Sequence, residues 1–416
     1  MLFALSLSIF FISCGGNRTA IIWTDRPEFA FYSKFFNSSQ NQHKVSVRYF
    51  SSPAEELQRL GRRRRGGDSN PDIIIGSWLK NEATRAHYRP LNNLFGRNRL
   101  SLGNFYPRLA SVGRIGRNQY LLPVSFNIPA LIFSRDTSEK LSSQFTVGFD
   151  EIKNLSRSYN VMSRGSYTHM GFSPLWSDDF LLLTAILFNA SFREASSHGA
   201  PLIWDDIALN RAMDFVYNWT LEINTSNQAT EDFAFKYFFE PSVNLIQSGR
   251  ILFSYMQSAE LFTLREDIRN NLDFRWIMEG NRIPITGDAV FLGIPKRGNA
   301  RRAAEAFVLW FFNTDTQRQL LYASRAHRIN ESIFGISGGF SALSPVTELV
   351  FPQFYPGLLG RMPPSEHFMP PSILPSDWIV IRERVVFPFL HDRARSPADE
   401  TIPLDRRLAD WLRMNR

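Results

Sequence analysis

The sequence predicts an α/β protein built in two lobes, each around a parallel sheet, and three observations support that. Short apolar runs alternate with amphipathic stretches over the first eighty residues, the order that yields parallel strands with crossover helices. The chain has 416 residues, beyond the roughly 250–300 at which a single hydrophobic core stops growing. No internal repeat or low-complexity linker divides it. In order, TAIIWTD around Ile21 reads as a strand, the stretch from Phe29 as a helix and KVSVRYF from Lys44 as a strand. A helix around Leu57 and a buried strand in PDIIIGSWL from Pro71 complete a β-α-β-α-β unit. The run Asp179 to Phe192, DFLLLTAILFNASF, is too short and too polar at its ends to span a bilayer, and suits a buried helix. The segment rich in Pro and Gly from Pro352 to Pro375 reads as a long excursion packed on the body.

Residues 1–13, MLFALSLSIFFIS, form an uncharged, almost wholly apolar run of signal-peptide length. Ile12-Ser13-Cys14-Gly15 resembles a lipobox, with Phe11 where such motifs usually carry Leu. The resemblance implies that Cys14 becomes the first mature residue and carries the lipid, diacylglycerol with a further acyl chain such as palmitate. Cys14 is the only cysteine, so neither an intrachain disulfide nor a CxxC pair exists. Two or three acyl chains on one residue anchor durably, at about 0.8 kcal/mol per buried CH₂. The expected location is therefore outside the cytoplasm, tethered to the bacterial cell membrane and facing the periplasm or cell exterior.

The formal charge of +8 and pI near 9.7 raise nucleic acid as a partner, but basic residues are spread along the whole chain. The one dense cluster, Arg62 to Arg65, runs into Gly66-Gly67-Asp68-Ser69-Asn70-Pro71, the signature of a solvated loop. No nucleic-acid partner is expected.

The segment GRNQYLLPVSFNIPALIFSRD, Gly116 to Asp136, resembles the first hinge crossing of the family 1 extracellular solute-binding proteins, the maltose-binding-protein-like lipoprotein components of bacterial ABC importers. Further likenesses follow in the family's order: PDIIIGSW from Pro71, FTVGFDEI from Phe145, SGRILFSYMQSAE from Ser248, RIPITGDAVFLGIPKRG from Arg282 and RRAAEAFVLWFFNTDTQRQLL from Arg301. Together they cover about residues 20–335; no single motif is diagnostic, and their joint order carries the resemblance. It implies a type II-like periplasmic-binding-protein fold, with crossings near Ser125 to Leu131 and Ala289 to Ile294. The implied organisation is a signal peptide at 1–13, an N-terminal lobe of 14–126 plus about 290–330, and a C-terminal lobe of 127–289 plus about 331–416. The implied role is capture of a carbohydrate, mono- or oligosaccharide, between the lobes and its delivery to ABC permease subunits by a monomeric protein. The same fold family also carries anionic solutes such as glycerol phosphodiesters, and that alternative stays open.

Candidate ligand contacts follow from strand ends, since ligands of open α/β sheets sit at the carboxyl ends of the strands. Trp23 follows Ala20-Ile21-Ile22, and Ser77 with Trp78 follows Ile73-Ile74-Ile75-Gly76; a flat indole suits the CH face of a pyranose. Asn127 in the crossing, Trp176 and Ser177 at a helix start, Tyr255 after a strand and Asp288 before the second crossing complete the set. Trp204, Trp219, Trp276, Trp310, Trp378 and Trp411 read as packing residues. The seven histidines are isolated, and HExxH, GxSxG and GxxxxGK[ST] are absent. No catalytic residue, metal or cofactor is therefore expected. Asp178-Asp179 and Asp205-Asp206 leave a glycoside hydrolase as a minor alternative, although helix starts favour Asp for capping alone; an adhesive surface lipoprotein is the other.

Overall fold

The computed structural model describes residues 18–62, 70–81, 85–97, 99–195, 201–285 and 289–415. Cys14, Asp288 and Arg63 to Arg65 lie outside them.

The first five elements form where the sequence pattern placed them: strands Ala20–Thr24, Val45–Tyr49 and Ile73–Gly76, with helices Glu28–Ser39 and Pro53–Arg62 between them. The first strand pairs in parallel with the other two, so that Trp23 lies opposite both Arg48 and Ile74. Parallel neighbours need a crossover that packs on the sheet face, and Glu28–Ser39 does this by burying Phe29, Tyr32 and Phe36, one helical stripe. Those rings meet Phe307 and Phe311 of helix Arg301–Phe311, with centroids 5.3 Å apart for Phe36 and Phe307 and for Phe29 and Phe311. Ile73, Ile74 and Ile75 are buried on both sides, as a central strand with two covered faces requires.

The larger sheet has six strands in the order Phe340–Ser341, Leu121–Phe126, Val290–Gly293, Ile73–Gly76, Ala20–Thr24, Val45–Tyr49. Val290–Gly293 runs antiparallel to both of its neighbours. The smaller sheet has four strands, Ser254–Gln257, Pro129–Ser134, Leu272–Ile277 and Thr146–Val147. The chain passes from one sheet to the other through Asn127 and Ile128 alone, inside the first expected crossing. The second crossing lies earlier than 289–294: the chain leaves the smaller sheet at Ile277 and is already in the larger one at Val290. The apolar run Val290 to Gly293 reads as a connector only until its pairing is known; paired on both edges, it is core strand. Asp178–Leu187 is a buried helix, and among the described residues no helix is long and apolar enough to cross a membrane.

One ion cluster ties the smaller sheet to the C-terminal excursion. Arg275 is buried, stacks on Phe133, and donates to Ser143 O at 2.6 Å and to Asp273 Oδ2 at 2.8 Å. Arg361 donates to Asp273 Oδ1 at 2.6 Å. Burial alone would raise the Asp273 carboxyl, but hydrogen bonds from Arg361, Arg275 and Ser138 outweigh it and hold the group far below the usual carboxylate range.

Asp273→Asn should therefore cost about 3 kcal/mol at neutral pH, because it leaves Arg275 buried without its anion. A carboxyl whose folded value is depressed stabilises fully above its unfolded value near 3.9, and that stabilisation is lost as pH falls through the folded value. Urea denaturation of both proteins from pH 7 downward should show the gap closing below about pH 4. A gap that stays constant into the acid transition would refute the assignment.

Candidate functional site

The candidate residues lie at the carboxyl ends of the first and third strands, in the first crossing and on the face of the smaller sheet that carries Tyr255. On the larger sheet's side, Arg26 donates from Nη2 to Ser77 Oγ at 2.9 Å and pairs through Nε with Asp25 at 3.2 Å. Gly76 makes this approach possible: a Cβ there would sit 3.2 Å from Asp25 Oδ1. Glu28 follows at 5% exposure, and burial pushes its carboxyl above the ordinary range. The Ser337 side chain lies against the Glu28 carboxyl and partly opposes that rise.

Trp78 adopts φ of 52°. Left-handed backbone at a bulky residue costs on the order of 1–3 kcal/mol, and such outliers cluster at ligand clamps and active sites. The half-buried ring packs on the apolar cluster of the other lobe that contains Leu374, Trp378 and Leu390. Its Nε1 is buried without a partner among the described residues.

Asn127 pins the crossing. Its Nδ2 donates to Gly338 O at 2.9 Å, and its Oδ1 accepts from Ser258 Oγ at 2.7 Å. Ser177 caps helix Asp178–Leu187, its hydroxyl accepting from Phe180 N at 3.2 Å. Trp176 is half-buried, lies stacked on Phe233 with centroids 5.8 Å apart, and has an unpartnered buried Nε1.

A cavity of about 120 Å³ opens beside Tyr255. Tyr255 and Trp378 line it together with Asp179, Asn189, Gln257 and Arg382, and Met369 to Leu374 forms one wall. Pro371, Ser372 and Leu374 also border the gap next to Trp78, so this short segment lies between Trp78 and Tyr255.

Of the expected contacts, Tyr255 and Trp78 thus face a common wall, and Ser77 belongs to the Arg26 cluster. Trp23 differs from expectation. At 4% exposure it packs on Phe50, centroids 4.5 Å apart, because the neighbouring strand delivers Phe50 against it. Its ring lies in the core and not open to the crevice. Trp378, expected as packing, is indeed buried but also bounds the cavity. Asp25, Arg26, Glu28, Gln257 and Arg382 were not anticipated. For the first three the signal was present: charged residues directly after a buried strand. For the others only the tertiary fold brings them in.

Among the described residues no group of three or more His, Cys, Asp or Glu is placed to hold a metal. The cavity beside Tyr255 thus presents two aromatic rings, Tyr255 and Trp378, and the polar side chains of Asp179, Asn189, Gln257 and Arg382.

The fold is that of the two-lobed periplasmic binding proteins. Solved structures that share it include a cyclic α-maltosyl-1,6-maltose binding protein from Arthrobacter globiformis, at a TM-score of 0.61 and 16% identity over 95% of this chain and 97% of that one. Another is the maltose/maltodextrin-binding domain MalE from Bdellovibrio bacteriovorus bound to maltotriose, at 0.56 and 15% over 95% and 100%. A third is an ABC substrate-binding protein from Listeria monocytogenes in complex with cycloalternan, at 0.57 and 13% over 94% and 96%. No family model matches the chain, and no curated protein matches it by sequence.

Glu28 provides a test of the crevice electrostatics. A carboxyl raised by burial favours folding below its unfolded value, and that contribution is lost as pH rises through the folded value. Glu28→Gln, which keeps the shape and removes the charge, should match the wild type near pH 4 and melt higher than it at pH 8. Thermal denaturation at the two pH values reads this directly, and a variant that melts lower at pH 8 would show Glu28 to be a stabilising anion.

Proposed function

We propose that this chain is the solute-binding component of an ABC importer, capturing a mono- or oligosaccharide in the inter-lobe crevice and delivering it to the permease without catalysis. The observation that carries the reading is the cavity between Tyr255 and Trp378, two aromatic rings with Asp179, Asn189 and Gln257 around them. Rings suit the CH faces of a sugar, and carboxylate and amide groups suit its hydroxyls. The buried indole nitrogen of Trp78, without a partner among the described residues, is a further group that a hydroxylated ligand would satisfy. The neighbours quoted above include proteins bound to maltotriose and cycloalternan, which supports a carbohydrate.

The lobes in this reading are 14–126 plus about 290–330 and 127–289 plus about 331–416, with the short strand Phe340–Ser341 returning to the first sheet. Trp78, Ser77, Tyr255, Trp176, Ser177, Asn127 and Asp288 are proposed to bind or position the solute, the polar hinge and cap residues acting through the geometry they hold. Trp23 supports the site from beneath. The protein is proposed to act as a monomer, exported and held at the membrane by lipid on Cys14. A second reading, an anionic solute, is favoured by one observation, Arg382 in the wall of the same cavity.

Calorimetry against neutral mono- and oligosaccharides should detect binding that Trp78→Ala and Tyr255→Ala each weaken by about 1–2 kcal/mol, the scale of an aromatic contact. Trp23→Ala should instead lower stability by about 3–5 kcal/mol, as loss of a core ring does. Binding of anionic solutes alone, with steep salt dependence, would replace the sugar assignment. Turnover of a glycoside, abolished by changing one carboxylate, would overturn the binding role.

Cys14→Ser should move the protein from the membrane to the soluble fraction and abolish incorporation of a fatty-acid analogue. A serine variant that remains with salt-washed membranes would place the anchor elsewhere.

A further inference from the structure

The smaller sheet carries a second cavity, larger than the first, at about 1070 Å³. Tyr255 lies opposite Leu131 and Phe274 opposite Ile132, so these two rings point to opposite faces of that sheet. Tyr255 borders the crevice cavity and Phe274 the larger one, which makes the latter a separate site.

Six arginines line it: Arg135, Arg265, Arg269, Arg325, Arg328 and Arg361. Three of them have carboxylate partners, Arg265 with Asp267 at 2.6 Å, Arg361 with Asp273 at 2.6 Å and Arg328 with Glu331 at 4.0 Å. The other three have none among the described residues. Arg135 and Arg269 donate only to main-chain carbonyls, at 3.4 Å to Leu272 O and 3.0 Å to Phe262 O. Arg325 is exposed at the end of helix Thr314–Ala326 and makes no side-chain hydrogen bond among the described residues.

Two of these three, Arg269 and Arg325, line the recess together with Tyr355. The Arg269 guanidinium lies 5.7 Å from the centre of the Tyr355 ring. Burial raises the Tyr355 phenol, while a hydrogen bond with the Gly335 backbone and the charges of Arg269 and Arg325 oppose that rise. They come from separate walls, Arg269 from the segment before strand Leu272–Ile277 and Arg325 from the long helix after Phe311. Four carboxylates, Glu266, Asp267, Asp273 and Glu331, line the recess beside the six guanidiniums, and the remaining surplus of positive charge favours an anion there. The forked donors of arginine match phosphate oxygens in pairs.

We propose that this recess is a second binding site, for a phosphate-bearing anion gripped by Arg269 and Arg325 over the Tyr355 hydroxyl. The phosphate belongs either to a free solute anion or to the headgroup of an anionic phospholipid. The site is independent of the sugar reading and stands if that reading fails.

The probes are inorganic pyrophosphate, titrated calorimetrically at constant ionic strength, and vesicles of phosphatidylcholine with or without phosphatidylglycerol. Arg325→Gln is the test variant, since an exposed side chain can be changed without disturbing the core; Arg97→Gln, exposed and outside the recess, removes the same charge as a control. Both variants should melt with the wild type. Pyrophosphate binding weakened tenfold or more by Arg325→Gln and not by Arg97→Gln supports the proposal with a soluble ligand. Binding confined to phosphatidylglycerol vesicles and lost selectively in Arg325→Gln supports it with a lipid headgroup. Equal weakening in the two variants, or no binding of either probe above plain phosphatidylcholine, overturns it.

Discussion

The structure depends on one uninterrupted extended segment. From Leu121 to Ser134 the chain is an inner strand of the larger sheet, then an inner strand of the smaller one, with only Asn127 and Ile128 between. Backbone groups on both halves are therefore committed to neighbours, and the relative placement of the sheets is decided within two residues. The Asn127 amide adds its own restraint by joining Gly338 of one segment to Ser258 of another. A buried amide satisfied on both ends tolerates little displacement, because breaking either bond leaves a polar group unpaired at about 1–3 kcal/mol. Lobe motion, where it occurs, has its pivot defined by chemistry as well as by connectivity.

Around that pivot the molecule keeps costs it has no structural need to keep. Trp78 holds a left-handed backbone, and both it and Trp176 bury an indole nitrogen without a partner among the described residues. Elsewhere the same sequence satisfies its buried charges thoroughly, as the arginines around Asp273 demonstrate. Similar atoms are buried elsewhere too, in Asn70, Gln119, Ser156, Trp219 and Asn227, so it is the left-handed backbone of Trp78 together with its unpartnered nitrogen that sets this position apart.

Much of the architecture was legible because period and length are local properties. The opening β-α-β-α-β unit, the buried helix from Asp178 and the first crossing all follow from apolar spacing and turn residues. The crevice was only half legible. Trp23 and Trp78 each follow a run of aliphatic residues, yet one is covered by Phe50 and the other is not, and only the pairing of Val45–Tyr49 beside the first strand decides this. Trp378 sits in a helical stretch far from any motif, and its place in the cavity wall depends on the path of Met369 to Leu374. The arginine recess was illegible for the same reason: Arg135, Arg269 and Arg325 are separated by more than a hundred residues in part, and no spacing rule connects them.

The antiparallel strand Val290–Gly293 lies between Ile73–Gly76 and Leu121–Phe126, contributed by a segment more than 150 residues downstream of either. Until it arrives, two strands with buried, aliphatic faces stand apart with open edges. The first sheet thus cannot close until residue 293 has left the ribosome, after every strand of the smaller sheet, and the pairing that closes it carries the high loop-closure cost of distant partners. In the interval the open strand edges are a surface that a chaperone can cover.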